Sequence, residues 1–339
     1  MRSLVITKHG EPEVLQVQDR PEPRPGPGQV RVEVKAAGIN FADLMARMGM
    51  YPDAPNPPSV VGYEFAGDVE SVGEEVEGVG PGDRVMGGCR FGGYSELVVT
   101  DAGSVVPLPE DWSYEEGASF PVNYATAYAG LIRYGALREG ERVLLHAAAG
   151  GVGIAATQIA KIVGAEVFGT ASASKHDACR EQRLDHPIDY RSRDFVKEVR
   201  HITGEKEPLD LVMDAIGGRS FGKSFSLLRP GGRLVCFGAS SLVSGDRRNV
   251  PGTILRLVQT PWFHPLRLQS QSKAVLGLNM LRLWDSKGSL DEWVEPLQDW
   301  VRAGKLHPVV ARAFPLEHGA EAHRFMQERQ NVGKVVLTV

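Results

Sequence analysis

A chain of 339 residues, 42% hydrophobic and 24% charged, carries apolar material for a core of ordinary size and is longer than one compact unit usually needs, so two domains are expected. Its 38 basic and 42 acidic residues leave a formal charge of -4, which argues against a surface built to grip nucleic acid or an anionic membrane. Cys89, Cys179 and Cys236 are too scattered for a disulfide framework or close-spaced zinc ligation, and no stretch approaches the ~18 apolar residues of a membrane span, so a soluble, reducing, cytoplasmic setting is expected.

From Leu4 to about Pro109, short β-branched runs (VRVEVKAAG, FAGDVESVG, YSELVVT) alternate with the breakers PEPRPGPGQ, PDAPNPP and GPGD. This pattern predicts an antiparallel β domain with long surface loops. Near Trp112 the text changes: SYEEGASFPVNYATAYAGLIRYG has apolar residues at helical spacing, and then strand-like RVLLHAA, EVFGTAS, HPIDY, LDLVMDAIGG and GRLVCFGAS alternate with helical segments. Such alternation predicts parallel strands joined by crossover helices. The C-terminal part ends in a helix-like EHGAEAHRFMQERQ and a strand-like KVVLTV, too little to stand alone. We therefore expect a discontinuous first domain, residues 1–121 with 259–339, around a second of residues 122–258.

Within the second domain, Arg142 to His146 read as a strand, Gly151 to Val163 as a helix, Gly164 as its C-cap and Glu166 to Thr170 as the next strand, a complete βαβ unit. The run between, HAAAGGVG from His146 to Gly153, can present the backbone N–H groups of Ala149, Gly150, Gly151 and Val152 at a helix N-terminus, where a pyrophosphate is favoured. Ala147, Gly150 and Gly153 are spaced three apart for the tight turn and close packing, and alanine serves at 147 wherever φ stays negative. The second strand then ends in GTASASKH, with no acid to take ribose hydroxyls. Thr170, Ser172, Ser174 and Lys175 suit a 2′-phosphate, with Tyr190 one strand further on to stack or assist, so NADPH is the expected cofactor. Lys175 also reads as the start of a solvated helix. Gly217 permits the turn after LDLVMDAI.

The ordered runs GINFADL, VGYEFAGDVESVG, GDRV, AAAGGVG and NVGKVVL resemble the medium-chain dehydrogenase/reductase superfamily over essentially the whole chain. NFADLMAR, VNYATAY, GTASASKH and HPIDY narrow the resemblance to its zinc-independent quinone oxidoreductases, in the branch of vesicle amine transport protein homologues. The resemblance implies an α/β fold class: a Rossmann-type parallel sheet domain plus a GroES-like β-rich catalytic domain, discontinuous in sequence. It also implies a homodimer or homotetramer in which the sheet continues edge to edge near RLVCFGA and SSLVSGDRRN.

Zinc-dependent members ligate a metal with a cysteine just before the NFAD-like stretch and a histidine before a glutamate; here Asn40 and Tyr63 stand in those regions, so no metal is expected. Without a Lewis acid, an unactivated alcohol is hard to oxidise, whereas a quinone or α,β-unsaturated carbonyl can accept hydride directly. In the cleft between domains as the family draws it, Asn40 would donate a hydrogen bond to nicotinamide or acceptor oxygen, and Tyr51 a hydrogen bond or a proton. Each has a plainer reading, Asn40 at a turn and Tyr51 packed on Pro52. Glu64 is expected to pair with a cation or a backbone N–H, and Asp43 to cap the Leu44–Met48 helix. By position, Thr126, Asn123, Phe237, Gly238, Leu278 and Asn331 or Lys334 would border the cofactor. A small electrophilic substrate is the expected partner. An alternative is a cofactor-binding protein that contacts membranes or partners through TPWFHPLRLQSQSKAVLGLNMLRLW, with Trp262, Leu266 and Arg267.

Overall fold

The computed structural model describes residues 1–242, 252, 258–288 and 291–339. The first unit holds β1 (Arg2–Ile6), β2 (Leu15–Asp19), β3 (Gln29–Ile39), α1 (Phe41–Arg47), β4 (Ser59–Val60), β5 (Glu64–Val72), β6 (Arg84–Gly88), β7 (Leu97–Asp101), β8 (Val105–Pro107), α2 (Tyr114–Gly117) and most of α3 (Pro121–Tyr128). Alternation explains β3: Val30, Val32 and Val34 face the core, and from Ala36 to Ile39 both faces are buried. The chain thus delivers Asn40, next in line, to the unit's interior.

In the second unit, β9 (Arg142–Leu145), α4 (Gly151–Val163), β10 (Glu166–Ala171), α5 (His176–Glu181), β11 (His186–Asp189), α6 (Phe195–Thr203), β12 (Leu209–Asp214), α7 (Arg219–Phe225), β13 (Leu228–Cys236), α8 (Pro265–Gln271) and β14 (Ala274–Gly277) follow in order. The six strands are parallel in the order β11-β10-β9-β12-β13-β14. The order reverses between β9 and β12, the point at which open parallel sheets bind ligands outside their carboxyl ends. Gly164 caps α4 in the left-handed conformation, φ 87°, as its position predicts.

The chain then returns to the first unit through α9 (Met280–Lys287), α10 (Asp291–Arg302), β15 (Val310–Pro315), α11 (Gly319–Gln327) and β16 (Lys334–Thr338). There β16 pairs antiparallel with β3, in a seven-stranded sheet ordered β15-β16-β3-β5-β6-β8 with β7 on β3. A smaller sheet, β2-β1-β4, completes the unit.

Two boundaries differ from the expected ones. The compact units divide after Ala125 and after Met280, not after residues 121 and 258. The second shift has a clear cause: β14 pairs in parallel with β13 and so joins the second unit's sheet, which keeps the chain in that unit as far as Met280. For the same reason RLVCFGA is an inner strand and β14 is the edge, and residues 243–249 of SSLVSGDRRN lie outside the described residues.

Candidate functional site

The loop after β9 is shaped by contacts that only small residues allow. A Cβ on Gly153 would stand 2.4 Å from the carbonyl oxygen of Ala147 and 2.6 Å from the carbonyl carbon of Ala148, so α4 starts hard against the loop backbone. Gly150, at the N-cap, supplies no side-chain cap, which leaves the leading N–H groups of Gly151 and Val152 open to an anion. Ala147 departs from expectation: its φ is 55°, not negative. The turn demands a left-handed residue there, the conformation that favours glycine. Ala147→Gly is therefore expected to relieve strain, offset in part by glycine's backbone entropy, for a net gain of about 0.5–1 kcal/mol. Thermal unfolding checks this; a lower midpoint in the variant would refute it.

Beneath the loop runs a chain of hydrogen bonds whose direction follows from one end. The Asp214 carboxylate only accepts, so Ser224 donates its hydroxyl to it at 2.8 Å and accepts from His146 Nε2 at 3.0 Å. His146 Nδ1 then accepts from the Thr170 hydroxyl at 3.0 Å, and Thr170 in turn accepts the Ala147 N–H at 3.3 Å. His146, Asp214 and Ser224 are buried, and burial lowers the imidazole pKa against the raising effect of Asp214. The hydroxyl lies between imidazole and carboxylate, an order suited to bracing the loop and not to activating a nucleophile.

Several predicted residues gather at the carboxyl ends of these strands. Ser172 follows β10, Gly217 (φ 78°) follows β12, and Phe237 and Gly238 follow β13, with Phe237 N–H donating to the Asp214 carbonyl at 3.1 Å. A Cβ on Gly238 would meet the Ala215 carbonyl oxygen at 2.9 Å, and Leu278 N–H reaches the Cys236 carbonyl at 2.9 Å. Lys175 ends a short 3-10 turn and is half-buried; Tyr190 is 38% exposed. Sequence reasoning missed Asp189, which ends β11 opposite Ala171 and accepts from the Ser192 hydroxyl at 2.6 Å and the Arg191 N–H at 3.1 Å. The Ser192 bond leads in holding this carboxyl below its usual range. The signal was present in HPIDY, but only strand pairing shows that this acid lies beside β10.

The first unit buries a different polar group. Asn40 donates through Nδ2 to Glu64 Oε1 at 3.0 Å and accepts at Oδ1 from Lys334 Nζ at 2.7 Å, while Lys334 also pairs with Glu64. The second Glu64 oxygen accepts the Val122 N–H at 2.7 Å. Asp43 accepts from the Asn40 N–H at 2.7 Å, the Tyr94 hydroxyl at 2.8 Å and the Gly62 N–H at 3.2 Å, so it ties the start of α1 to two neighbouring segments. The helix begins at Phe41, earlier than expected, with Asp43 inside its first turn. Burial pushes the Asp43 carboxyl up to about 6 despite its donors. Tyr51 is half-buried; burial first, then Asp53, pushes its hydroxyl up to about 12, so it stays protonated at neutral pH. Thr126 lies buried in α3, Asn123 donates to the Ser119 carbonyl at 2.9 Å, and Asn331 donates to the Gly333 carbonyl at 2.8 Å.

His323 on α11 is fully buried, neither ring nitrogen has a hydrogen-bond partner among the described residues, and its ring meets Tyr94 edge-on with centroids 6.1 Å apart. Burial, reinforced by the Arg47 cation, holds its pKa well below the usual value. The folded state therefore keeps His323 neutral while the unfolded chain protonates near 6.5, so its contribution is present above that pH and is lost as the pH falls below it. His323→Phe removes no hydrogen bond and is expected to flatten the acid side of the stability profile; urea unfolding at pH 5 and 7.5 measures it, and an unchanged slope would count against the assignment.

Comparison with known proteins gives these two units a lineage. Residues 26–110 match the family model described as "Alcohol dehydrogenase GroES-like domain" and residues 183–337 the one described as "Zinc-binding dehydrogenase". The chain is 42% identical to the synaptic vesicle membrane protein VAT-1 homolog of Danio rerio, over 99% of this chain and 70% of that protein. The chain belongs to the medium-chain dehydrogenase/reductase superfamily. Its Rossmann-type sheet and GroES-like unit are that family's architecture. Solved structures similar to this superfamily member include the CurK enoyl reductase, 29% identical with a TM-score of 0.87 over 99% of this chain and 98% of that one. Another is the Escherichia coli quinone oxidoreductase complexed with NADPH, 31% identical with a TM-score of 0.86 over 100% of both chains. An oxidoreductase fold with quinone and enoyl reductase neighbours is thereby established.

The zinc in the second family model's description does not fit the residues of this member. Among the described residues, no three His, Cys, Asp or Glu side chains stand together as a ligand set. Glu64 is already neutralised by Lys334, and the buried Cys89 thiol has its pKa raised by burial, which disfavours the thiolate that zinc needs. A dinucleotide does fit the residues present: Gly153 lets α4 start hard against the loop, and the uncapped α4 terminus leaves N–H donors for a pyrophosphate. No helix of the described residues is long and apolar enough to cross a membrane.

Proposed function

We propose that this protein is a cytoplasmic, zinc-independent reductase that uses NADPH to reduce a quinone or an α,β-unsaturated carbonyl. The observation that carries the reading is the filled polar cluster of the first unit: a lysine ammonium, not a metal ligand set, completes Glu64 and Asn40. When bound, NADPH would supply a hydride to an acceptor already polarised enough to take it. The open N–H groups of Gly151 and Val152 would hold the pyrophosphate, and Ser172 and Lys175 the 2′-phosphate. Asn40 and Tyr51 are the hydrogen-bond donors for the acceptor oxygen, with Tyr51 kept protonated at neutral pH. The similar structures, an enoyl reductase and a quinone oxidoreductase with NADPH, support the same substrate class. Purified protein incubated with NADPH and a panel of small quinones and enones should oxidise the cofactor above its background rate; no acceptor doing so overturns the reading.

The outer edge of β14, unpaired among the described residues, is the surface we propose for a homo-oligomer. A second reading, a binding protein at a membrane or partner surface, is favoured by one observation: Trp262 is 84% exposed and Leu266 68%. Co-sedimentation with liposomes, with and without NADPH, separates the two readings.

A further inference from the structure

The carboxamide of Asn40 has one oxygen and one NH2 group, which its partners tell apart. Lys334 can only donate, so it takes Oδ1; the Glu64 carboxylate can only accept, so it takes one N–H. Turning the amide over would aim N–H at an ammonium and oxygen at a carboxylate, and would lose two charge-assisted hydrogen bonds at once. Glu64 is itself fixed by Val122, and Lys334 is fixed because β16 pairs with β3, placing Val335 opposite Ile39. Lys334 and Glu64 are almost wholly buried, while Asn40 keeps 9% of its surface exposed. One Nδ2–H of Asn40 remains unused by these partners.

We propose that the Lys334–Glu64 ion pair is a positioning device: it locks the Asn40 amide in a single orientation, so that the remaining Nδ2–H is a fixed donor to the carbonyl oxygen of the acceptor. The proposal rests on the reductase reading above. It assigns the pair a role in the reaction, with Asn40 the group that touches substrate and Lys334 and Glu64 acting through it.

A double-mutant cycle tests this in the full chain. Lys334→Met should lower kcat by about 10- to 100-fold, a sizeable part of what a lost oxyanion donor costs, and leave NADPH affinity unchanged. In an Asn40→Ala background the same substitution should lower kcat no further. Should Lys334→Met fold poorly, Lys334→Met with Glu64→Gln removes both charges and replaces it in the cycle. Additive losses, or a wild-type kcat in Lys334→Met, overturn the positioning role. A second measurement does not need turnover: in protein labelled with 15N at asparagine, the two Nδ2–H signals of Asn40, identified by their loss in Asn40→Ala, should lie away from free-asparagine positions and exchange slowly with solvent, and in Lys334→Met should move towards those positions and exchange faster. Unchanged signals in the lysine variant overturn the lock. A wild-type protein inactive on every acceptor would refute the reductase reading, and with it the donor role, while the spectra still decide whether the amide is held.

Discussion

Gly153→Val should abolish dinucleotide binding. Its side chain would begin 2.4 Å from the Ala147 oxygen and 2.6 Å from backbone carbons of Ala148, none of which is a flexible side-chain end that can swing away. Either α4 withdraws or the loop does, and both movements carry the N–H groups of Gly151 and Val152 off a bound pyrophosphate. Two charge-assisted bonds at roughly 1.5–3 kcal/mol each make the expected loss more than about 100-fold in affinity. Overpacking adds a stability cost of about 1–3 kcal/mol. Gly150→Ala is the control: its Cβ would meet only the Ala147 oxygen, at 3.3 Å, and the residue has an ordinary φ of -82°. It should bind within a few-fold of the parent chain. Calorimetric titration with NADPH distinguishes the outcomes; a Gly153→Val protein that binds like its parent would show that the loop holds no phosphate.

Much of this site was legible because it depends on local order. A strand, a run of small residues and a helix follow one another within HAAAGGVG and its flanks, and α4 begins and ends where spacing and Gly164 put it. What escaped was whatever depends on pairing between distant segments. Lys334 meets Glu64 and Asn40 across nearly the whole chain because β16 pairs with β3, so the cation expected for Glu64 had a type but no address. Asp189 was invisible as a neighbour of Ser172 until β11 was seen beside β10. The β14 strand, half-buried and only four residues long, carries too weak a pattern to have moved the domain boundary in advance. Ala147 failed for another reason: composition shows that a residue is small, but not the sign of its φ.

Lys175→Ala should separate the two nicotinamide cofactors. If the half-buried ammonium holds the 2′-phosphate, its loss removes a charge-assisted contact of roughly 1.5–3 kcal/mol, about 10- to 150-fold in NADPH affinity, and leaves NADH almost untouched. The direction is not trivial, because the Asp189 carboxylate lies at the neighbouring strand end and takes donors at the turn that contains Ala173. A bare carboxylate there would repel a phosphate; one already engaged by Ser192 and Arg191 is partly neutralised, so the cation can prevail. Two consequences follow from that balance. The preference for NADPH should weaken as salt rises, since screening acts on a partly exposed contact. Asp189→Asn should tighten NADPH by a few-fold and leave NADH nearly unchanged, opposite in sign to the lysine variant. Direct titration of both cofactors into the parent and the two variants reads all three effects, and an NADPH-to-NADH ratio that Lys175→Ala does not change would remove the 2′-phosphate from this strand end.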